Sequence, residues 1–429
     1  MENNEIIADS KNSEEILDSS KKIPQHVFAD LHIHSRFSRA TSKDLTIKNL
    51  IKWAKIKGLN ILGTGDFTHD KWLEEIKTEL EEKDGILIPK SKENVRFILS
   101  GEISLTYTQD NKGRRVHLIL LAPNFEIINQ INSYLDKKGR RDYDGRPIFN
   151  ISCEEFVKEM KDISDEIEII PAHIWTPWFG VFGSKSGFNS LKEAFGEQEK
   201  NISSIETGMS SSPDMNWRIK ELNEKTILSF SDSHSFWPWR IGREATIFNK
   251  IENYRDLINQ IRENKIYATI EVDPAYGKYH YDGHRLCNFS CSPEKSKELN
   301  NICPVCGKEL TIGVENRVEE LASFPAGFIS KNFKPYFKIL PLHEIISLVY
   351  SIPLSSKKTW NIYNQLIEKF GNEFKILLET EKGDLLKEGF DEKLVKTIID
   401  NRIGNIKIIP GYDGEYGKAI MGESQKKLF

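Results

Sequence analysis

Two histidines one residue apart, His32 and His34, are the first side chains along the chain with the chemistry of metal ligands. On a β-strand, residues two apart point to the same side, so these two imidazoles would face one point. A single pair of this kind is weak evidence, because it also occurs by chance among histidines with a structural role. The pair therefore predicts a metal site only if further ligands are found.

Further candidates occur where other apolar runs end. They are Glu102, His117, His173, Asp232 and His234, and with His32 and His34 they make seven potential ligands. In parallel barrels the functional side chains gather at the carboxyl ends of the strands. Five imidazoles and two carboxylates suit zinc, manganese or iron better than calcium. We predict that the seven side chains converge on one metal site; the alternative is that they are unrelated polar residues.

The elements that would position these ligands are short apolar runs that alternate with longer amphipathic stretches. The strand candidates are residues 27–34, 59–63, 95–99, 116–121, 167–172, 202–206 and 227–231. Residues 45–56 have helical spacing. Such alternation predicts an α/β fold with a mostly parallel sheet or barrel.

Four of the five cysteines form a second candidate metal site. They occur as two close pairs, Cys287 with Cys291 and Cys303 with Cys306. Two such pairs in a reduced compartment fit a tetrahedral structural zinc better than redox chemistry. Pro304 and Gly307 favour the tight turn that such a site needs. The fifth, Cys153, is predicted to be a small buried apolar residue.

Tryptophans and arginines follow two of the candidate ligands closely. The residues concerned are Trp175 and Trp178 after His173, and Trp237, Trp239, Arg240 and Arg243 after His234. Tryptophan-rich loops at an active site can stack on nucleobases, and arginines can contact phosphates. The alternatives are core packing for the rings and a solvated surface for the charges.

Composition limits the class of protein. The chain has 429 residues, of which 38% are hydrophobic and 29% charged, as in globular proteins with two or three domains. No apolar run approaches the ~18 residues of a membrane helix, and no apolar secretion signal begins the chain, so we expect a cytoplasmic protein, at the nucleoid when on DNA. The net charge of -4 neither supports nor excludes a nucleic-acid partner.

The order HxH, Asp, Glu, His, Ala-His, Asp-x-His resembles the polymerase-and-histidinol-phosphatase (PHP) superfamily. That resemblance implies a distorted (β/α)7 barrel with two or three metals. One metal would be bound by His32, His34, Glu102 and Asp232. Glu102 would bridge to a second metal held by His117 and His173, and Glu102 and Asp232 would be the catalytic carboxylates.

The resemblance also implies a third metal, bound by His234, with Asp66 as a candidate second ligand. The sequence departs from some relatives at this point. They carry another histidine where this chain has Ala40, and an Asp-His pair where this chain has Asp66 followed, three residues on, by His69. Asp66 and His69 are therefore both candidates for the third site.

A PHP-type barrel followed by a four-cysteine zinc module and a mainly helical region resembles the endonuclease Q family. The resemblance covers most of the chain and is most specific at residues 172–183, 231–245 and 313–327. It implies a DNA-repair endonuclease that cleaves on the 5′ side of deaminated bases (uracil, hypoxanthine, xanthine) and abasic sites, in single- or double-stranded DNA. The residues by themselves indicate only phosphoester hydrolysis. The alternatives are a small-molecule phosphatase, a 3′-exonuclease and a non-catalytic DNA-binding module.

These observations predict four parts of the chain. They are a disordered extension at residues 1–26, the barrel at 27–276, the zinc module at 277–312 and a C-terminal, mainly helical DNA-binding region at 313–429, with helical patterns at 360–370 and 374–386. The expected cofactors are two or three divalent metals (Zn, Mn, Mg or Fe) and one structural zinc.

The last five residues, from Gln425 to Phe429, partly match the peptides that bind sliding clamps. Gln425 and Leu428 supply the first and fourth positions of the pattern Gln-x-x-aliphatic-x-x-aromatic-aromatic, but the two aromatic anchors are missing. Because buried aromatic residues usually dominate such interfaces, we predict a weak clamp contact at best. An unstructured polar tail is the alternative.

Overall fold

The computed structural model of the protein describes residues 26–420. The predicted extension, apart from His26, and the predicted clamp-binding peptide from Gln425 to Phe429 lie outside the described residues. Within the described range, no helix is both long and apolar enough to cross a membrane.

Seventeen strands are formed in the described residues. They are β1 (Val27–Asp30), β2 (Ile61–Gly63), β3 (Leu80–Lys83), β4 (Ile86–Pro89), β5 (Arg96–Gln109), β6 (Lys112–Ala122), β7 (Ile148–Phe149), β8 (Glu168–Pro171), β9 (Ser204–Glu206), β10 (Thr226–Leu228), β11 (Ala245–Phe248), β12 (Ala268–Glu271), β13 (Asp282–His284), β14 (Phe289–Cys291), β15 (Tyr336–Lys338), β16 (Lys407–Ile409) and β17 (Lys418–Ile420). Each of the seven predicted strands contains part of an observed one.

Fourteen α-helices accompany them over the same range. They are α1 (Ile47–Lys57), α2 (Asp70–Glu79), α3 (Phe125–Lys138), α4 (Cys153–Ile163), α5 (Leu191–Phe195), α6 (Pro213–Trp217), α7 (Tyr254–Arg262), α8 (Pro293–Glu298), α9 (Val314–Leu321), α10 (Leu342–Tyr350), α11 (Lys357–Phe370), α12 (Glu373–Leu378), α13 (Lys382–Lys387) and α14 (Glu392–Arg402).

The predicted α/β barrel is present. The main sheet runs β15-β12-β11-β1-β2-β5-β4-β3, and β6 joins β5 to β8. The parallel pair β9–β10 lies between β8 and β1. On one side Ile174 N donates to Glu206 O over 3.0 Å, and on the other His34 N donates to Ser233 O over 2.9 Å. These bonds bring the ends of β1, β8, β9 and β10 to one mouth.

The sheet is more mixed than the predicted, mostly parallel one. β1 is parallel to β2 and antiparallel to β11, and β5 and β6 form a long antiparallel hairpin. Antiparallel neighbours can be joined by a short turn, whereas parallel neighbours need a crossover. The hairpin accordingly turns directly at Asp110 and Asn111, which both adopt left-handed backbone conformations (φ of 51° and 60°).

Both faces of the barrel strands are buried, which explains their near-continuous apolar runs. Ala29 and Leu31 belong to one apolar cluster, while Phe28 and Ile33 belong to another. Helix α1 covers part of the second cluster. It begins where the Thr46 side chain accepts a hydrogen bond from Asn49 N, and it ends at Gly58, whose φ of 100° suits glycine.

The C-terminal region is mainly helical, and β15 ties it to the barrel through parallel pairing with β12. The helix predicted at residues 374–386 is in fact two, α12 and α13. Arg402 ends the first, because its guanidinium donates to the carbonyls of Ile376 (3.0 Å), Leu377 (2.7 Å) and Thr380 (2.7 Å). These bonds satisfy the carbonyls that the end of a helix leaves open.

Candidate metal centre and active site

Six of the seven predicted ligands meet at the mouth of the barrel. One group contains His32, His34, Glu102 and Asp232, and the other contains Glu102, His117 and His173. Within each group the ligand atoms lie within 4.8 Å of one another. The two histidine-bearing segments after β1 and β8, the β5–β6 hairpin and the segment after β10 supply them.

Glu102 belongs to both groups and is buried at their junction. Its Oε1 atom lies 2.8 Å from His117 Nδ1 and 3.3 Å from His173 Nε2. Its Oε2 atom lies 3.3 Å from His34 Nε2. Oε1 also lies 3.6 Å from His32 Nε2, so the carboxylate contacts histidines of both groups, as a bridging ligand requires.

Two carboxylates orient the first pair of histidines from behind. His32 Nδ1 donates to Glu206 Oε1 and His34 Nδ1 donates to Asp66 Oδ1, each over 2.9 Å. The Nε2 atoms of both rings consequently face Glu102 and Asp232. Carboxylates in this position fix the tautomer and the direction of metal-ligating histidines.

Asp66 was predicted to be a metal ligand, and the structure corrects this. Its Oδ2 atom accepts hydrogen bonds from Ser35 N (2.6 Å) and Ser38 Oγ (2.8 Å), while Oδ1 accepts from His34. Both oxygens are therefore occupied on the far side of His34, and Asp66 belongs to neither ligand group.

The candidates for a third metal are not brought together in the part of the chain that is described. His234 Nδ1 lies 2.9 Å from the backbone oxygen of Asp232, and its ring lies 4.5 Å from that of His34. His69 stacks on Phe37 with ring centroids 4.3 Å apart. His234 thus lies beside the first group and outside both groups, and its assignment to a third metal stays a prediction.

Three of the predicted site residues have an unusual backbone. Asp66, His173 and Asp232 adopt φ angles of 45°, 29° and 47°, in the left-handed region. Each such residue costs about 1–3 kcal/mol and persists only where the surroundings hold it in place. These three positions follow strands at the mouth of the barrel, where side chains must turn inward to meet.

The backbone before Asp232 is held from two sides. Asp30 accepts hydrogen bonds from Ser231 N (3.0 Å) and Ser231 Oγ (2.6 Å), and Arg243 Nη2 donates to Ser231 O over 3.0 Å. Arg243 was predicted to contact phosphate; its guanidinium donates to this carbonyl, and the residue also lines a cavity together with Arg240. Arg243 is therefore a residue that supports the metal site.

Electrostatics favour a cation among these ligands. Burial disfavours a charge on His32, yet Glu206 and Glu102 raise its pKa well above its usual value. Burial likewise disfavours a charge on Glu102, yet His117 and Arg146 hold its pKa well below its usual value. The carboxylates thus favour positive charge among the ligands, which a bound metal ion would supply.

The donor set fits divalent metals. Among the described residues, His32 Nε2 is a buried nitrogen without a hydrogen-bond partner, and it faces Glu102 and Asp232. A metal ion in the first group would satisfy it. Imidazole and carboxylate ligands together favour zinc, manganese or iron.

Glu206 was not predicted as a functional residue, although it is the last residue of a predicted strand. Besides orienting His32, its Oε2 atom accepts a hydrogen bond from His173 N over 2.6 Å. Glu206 thereby contacts one residue of each ligand group, His32 and His173, without belonging to either group. Its position after an apolar run is the same signal that identified Glu102.

We expect Glu206→Gln to weaken Mn²⁺ binding by ~10- to 100-fold, because residues that orient metal-ligating histidines typically contribute this much. Calorimetric titration of the metal-free protein with Mn²⁺ measures the effect. Glu221→Gln is the matched control, since the Glu221 carboxylate also accepts a backbone hydrogen bond, from Leu191 N over 3.0 Å. Equal Mn²⁺ affinity in the two folded variants would contradict the role of Glu206.

Only some of the tryptophans predicted to contact nucleic acid are exposed in the structure. Trp175 is a core residue, because it is buried and its Nε1 donates to Asn216 Oδ1 over 2.8 Å. Trp239 stacks on Trp237 and packs against Trp360. Trp178 and Trp237 stay exposed and remain candidates for stacking on bases.

Arg240 also remains a candidate. It lines a cavity of about 150 Å³ between the barrel and the C-terminal region, together with Glu344 and Tyr416. The cavity carries both signs of charge, so it is suited to a polar group.

The cysteine module gathers a different set of ligands from the one predicted. His284, Cys287, Cys303 and Cys306 place their ligand atoms within 4.8 Å of one another. His284 Nδ1 lies 3.1 Å from Cys287 Sγ and 3.3 Å from Cys306 Sγ. Cys291 is not in this group, although it packs with Cys303 and Leu310 in a small apolar cluster. The prediction of Cys291 as the fourth ligand is therefore corrected to His284, which gives the set of three cysteines and one histidine found in many structural zinc sites.

We expect His284→Ala to lose one zinc per chain and Cys291→Ala to retain it. The reason is that only the first change removes a ligand from the four-residue group. Zinc content by mass spectrometry of the purified proteins measures this directly. The opposite pattern, with zinc lost only from the Cys291 variant, would restore the four-cysteine set.

The fold and its site define the class of the protein. An α/β barrel whose strand ends gather histidines and carboxylates into two adjoining groups, joined by Glu102, is a metal-dependent phosphoesterase barrel of the PHP type. The crystal structure of a lesion-specific endonuclease Q from Pyrococcus furiosus matches 94% of this chain and 98% of its own, with a TM-score of 0.83 and 30% identity. The chain belongs to the endonuclease Q family.

Two further relatives match nearly the whole chain. The structure of an endonuclease Q complex with a 27-mer duplex substrate, which has an abasic lesion at the active site, matches 93% of this chain and 97% of its own (TM-score 0.82, 31% identity). An uncharacterized Bacillus subtilis protein, YqxK, is 27% identical over 91% of this chain and 98% of its own length.

A longer relative occurs in Methanocaldococcus jannaschii. The uncharacterized protein MJ0043 is 34% identical over 303 residues, which are 68% of this chain and 36% of the relative. The match thus covers about a third of that protein's length. Residues 341–405 match the family described as the MJ0043 C-terminal domain, and they contain helices α10 to α14.

Proposed function

We propose that the protein is a metal-dependent DNA-repair endonuclease that hydrolyses the phosphodiester on the 5′ side of uracil, hypoxanthine, xanthine or an abasic site. The observation that carries the proposal is the pair of ligand groups that share Glu102. It is supported by 31% identity to an endonuclease Q whose structure contains a duplex substrate with an abasic lesion. DNA and a cytoplasmic location, at the nucleoid, belong to the same proposal.

Two divalent metals are the number that the ligand groups support. His32, His34, Glu102 and Asp232 would hold one, and Glu102, His117 and His173 the other. Zinc, manganese, iron and magnesium are the candidates. Bound metals of this kind lower the pKa of a coordinated water from 15.7 to about 7 and neutralise charge on a phosphate. Because of this, no separate protein base is needed.

The phosphate would enter where the site is open. Most of the ligands are buried, but the side chains of Asp232 and Arg146 are 31% and 26% exposed. Arg146 Nη1 lies 2.9 Å from Glu102 Oε2, so its guanidinium lies at the edge of the ligand groups. In that position Arg146 would hold a non-bridging oxygen and offset the charge that develops as the P–O bond breaks. Hydrolysis would leave a 3′-hydroxyl and a 5′-phosphate.

Recognition of the lesion would come before cleavage. Enzymes that act on a damaged nucleotide turn it out of the helix, and a mispaired or missing base makes this cost smaller. Trp178 and Trp237, which are both exposed and follow His173 and His234 in the chain, are the side chains we propose to stack on bases. We propose further that the module at residues 277–312 and the region at 313–429 form the DNA-binding surface next to the barrel at 27–276.

Duplex oligonucleotides with one deoxyuridine, deoxyinosine, deoxyxanthosine or abasic site test the proposal. With Mn²⁺, we expect one cut on the 5′ side of each lesion and no cut in the undamaged duplex. Stepwise loss of nucleotides from 3′ ends would support an exonuclease instead. Hydrolysis of a small phosphomonoester without any cleavage of DNA would support a phosphatase.

A further inference from the structure

A buried lysine joins the barrel to the C-terminal region. Lys57 is the last residue of α1 and is only 1% exposed. Its Nζ atom donates to Glu373 Oε1 over 2.7 Å and to the backbone oxygen of Pro238 over 2.8 Å. One ammonium group therefore connects helix α1, helix α12 and the segment that follows Asp232.

Both carboxylate oxygens of Glu373 also accept hydrogen bonds from the C-terminal region. Its Oε1 atom accepts a hydrogen bond from Leu342 N over 3.0 Å, and its Oε2 atom accepts one from Tyr363 Oη over 2.9 Å. These residues belong to α10 and α11, so the carboxylate fastens three helices of the C-terminal region to Lys57. A buried ion pair contributes little net stability compared with apolar packing, whereas the loss of one partner is strongly destabilising. The main effect of the Lys57–Glu373 pair is therefore on the relative position of the segments that it joins, rather than on net stability.

The tryptophans on both sides of Pro238 are held by the same region. Trp237 and Trp239 stack with ring centroids 5.4 Å apart and an angle of 4° between their planes. Trp360 of α11 lies 5.6 Å from the first ring and 5.8 Å from the second. Lys57, which Glu373 of the C-terminal region holds, thus binds the Pro238 carbonyl, while Trp360 of that region packs against both neighbouring side chains.

Residues 232–243 connect Pro238 and its neighbours to Asp232 in the metal site. The segment begins at the ligand Asp232, whose φ of 47° must be held by its surroundings. At its other end, Gly242 N donates to Asp30 Oδ2 over 2.8 Å and Arg243 donates to Ser231 O. The segment is therefore fixed near both ends by the barrel, and in its middle by Trp360 and by the Lys57–Glu373 pair.

We propose that Lys57 and Glu373 are positioning residues, through which the C-terminal helical region holds residues 232–243 and so sets the position of Asp232 in the metal site. Neither residue touches the ligand groups. Their effect on cleavage rests on the proposed function, but their effect on metal binding does not.

The variant Lys57→Met/Glu373→Gln tests the proposal, because it removes both charges together and leaves the substituted amide able to bond to Leu342 N and Tyr363. We expect a folded protein whose Mn²⁺ affinity by calorimetry falls ~10- to 100-fold, in the range found for residues that orient metal ligands. The turnover number on a deoxyuridine duplex should fall similarly. Lys161→Met is the matched control, since Lys161 Nζ also donates to backbone carbonyls, Ile167 O (2.5 Å) and Asp165 O (3.3 Å), in the barrel.

Trp360→Leu is the second variant, should the double variant not fold. It loosens the hold on Trp237 and Trp239 without burying a charge, and it should weaken Mn²⁺ binding in the same direction. Wild-type Mn²⁺ affinity in either folded variant would overturn the proposal. If the wild-type protein cut no lesion, the proposed function would fail, while the Mn²⁺ titrations would still decide whether the region positions Asp232.

Discussion

Replacing Glu102 with glutamine is expected to abolish cleavage, lowering the turnover number by ~10³-fold or more. Glutamine keeps the shape of the side chain but removes the charge that both ligand groups share. Metal ions contribute several kcal/mol to stabilising the transition state, and each ~1.4 kcal/mol corresponds to a tenfold change in rate. Single-turnover cleavage of a deoxyuridine duplex measures the loss, and calorimetry should show that neither Mn²⁺ binds with its original affinity.

The control for this change is Glu168→Gln. Glu168 is another buried strand glutamate with an arginine partner, since its Oε2 lies 2.7 Å from Arg262 Nε. It lies in β8 and belongs to neither ligand group, so its loss should affect stability more than turnover. A folded, metal-loaded Glu102→Gln protein that cleaves within tenfold of the wild-type rate would show that Glu102 is not the shared ligand.

Asp232→Asn should have the next largest effect, a loss of ~10²- to 10³-fold in turnover, comparable with the loss of one charge-stabilising group at an active site. Asp232 belongs to one ligand group only, so one Mn²⁺ should still bind with its original affinity. The exposed Asp162, which pairs with Lys158 on α4, provides the control Asp162→Asn. Near-normal turnover of folded Asp232→Asn protein with saturating Mn²⁺ would remove Asp232 from the site.

The positions of the metal ligands were predictable because strand ends in a barrel meet at one mouth. His32, His34, Glu102 and Asp232 each follow or lie within an apolar run, and that pattern is visible in the sequence. The pattern does not distinguish a ligand from a residue that orients one. Asp66 was therefore predicted as a ligand, although it lies behind His34, and Glu206 was overlooked in the same position behind His32.

The fourth ligand of the zinc module was also not predicted from the sequence. Cys291 was predicted because the four cysteines form two close pairs, although the spacing from His284 to Cys287 equals that from Cys303 to Cys306. In the structure the strand pair β13–β14 places His284 opposite Phe289 and Asp282 opposite Cys291, so His284 and Cys291 lie on the same face, with His284 nearer to the turn that carries Cys287. Spacing alone does not determine this.

Burial of the aromatic residues also depended on contacts distant in sequence. Trp175 is of a residue type that stacks on bases, yet it is buried and donates a hydrogen bond to Asn216 of α6. Trp237 and Trp239 meet Trp360, more than a hundred residues later in the chain. Sequence neighbours identified these rings as a group but did not show which of them face solvent.

The central claim is that metal held by these ligands cuts DNA beside a lesion. The most direct test is a duplex with a single deoxyuridine, labelled at the 5′ end of the damaged strand and incubated with protein stripped of metal by a chelator. We predict no cleavage without metal and, after addition of Mn²⁺, one product that ends in a 3′-hydroxyl on the 5′ side of the deoxyuridine. Cleavage that persists in the fully metal-free protein, or that occurs equally in the undamaged duplex, would contradict the account.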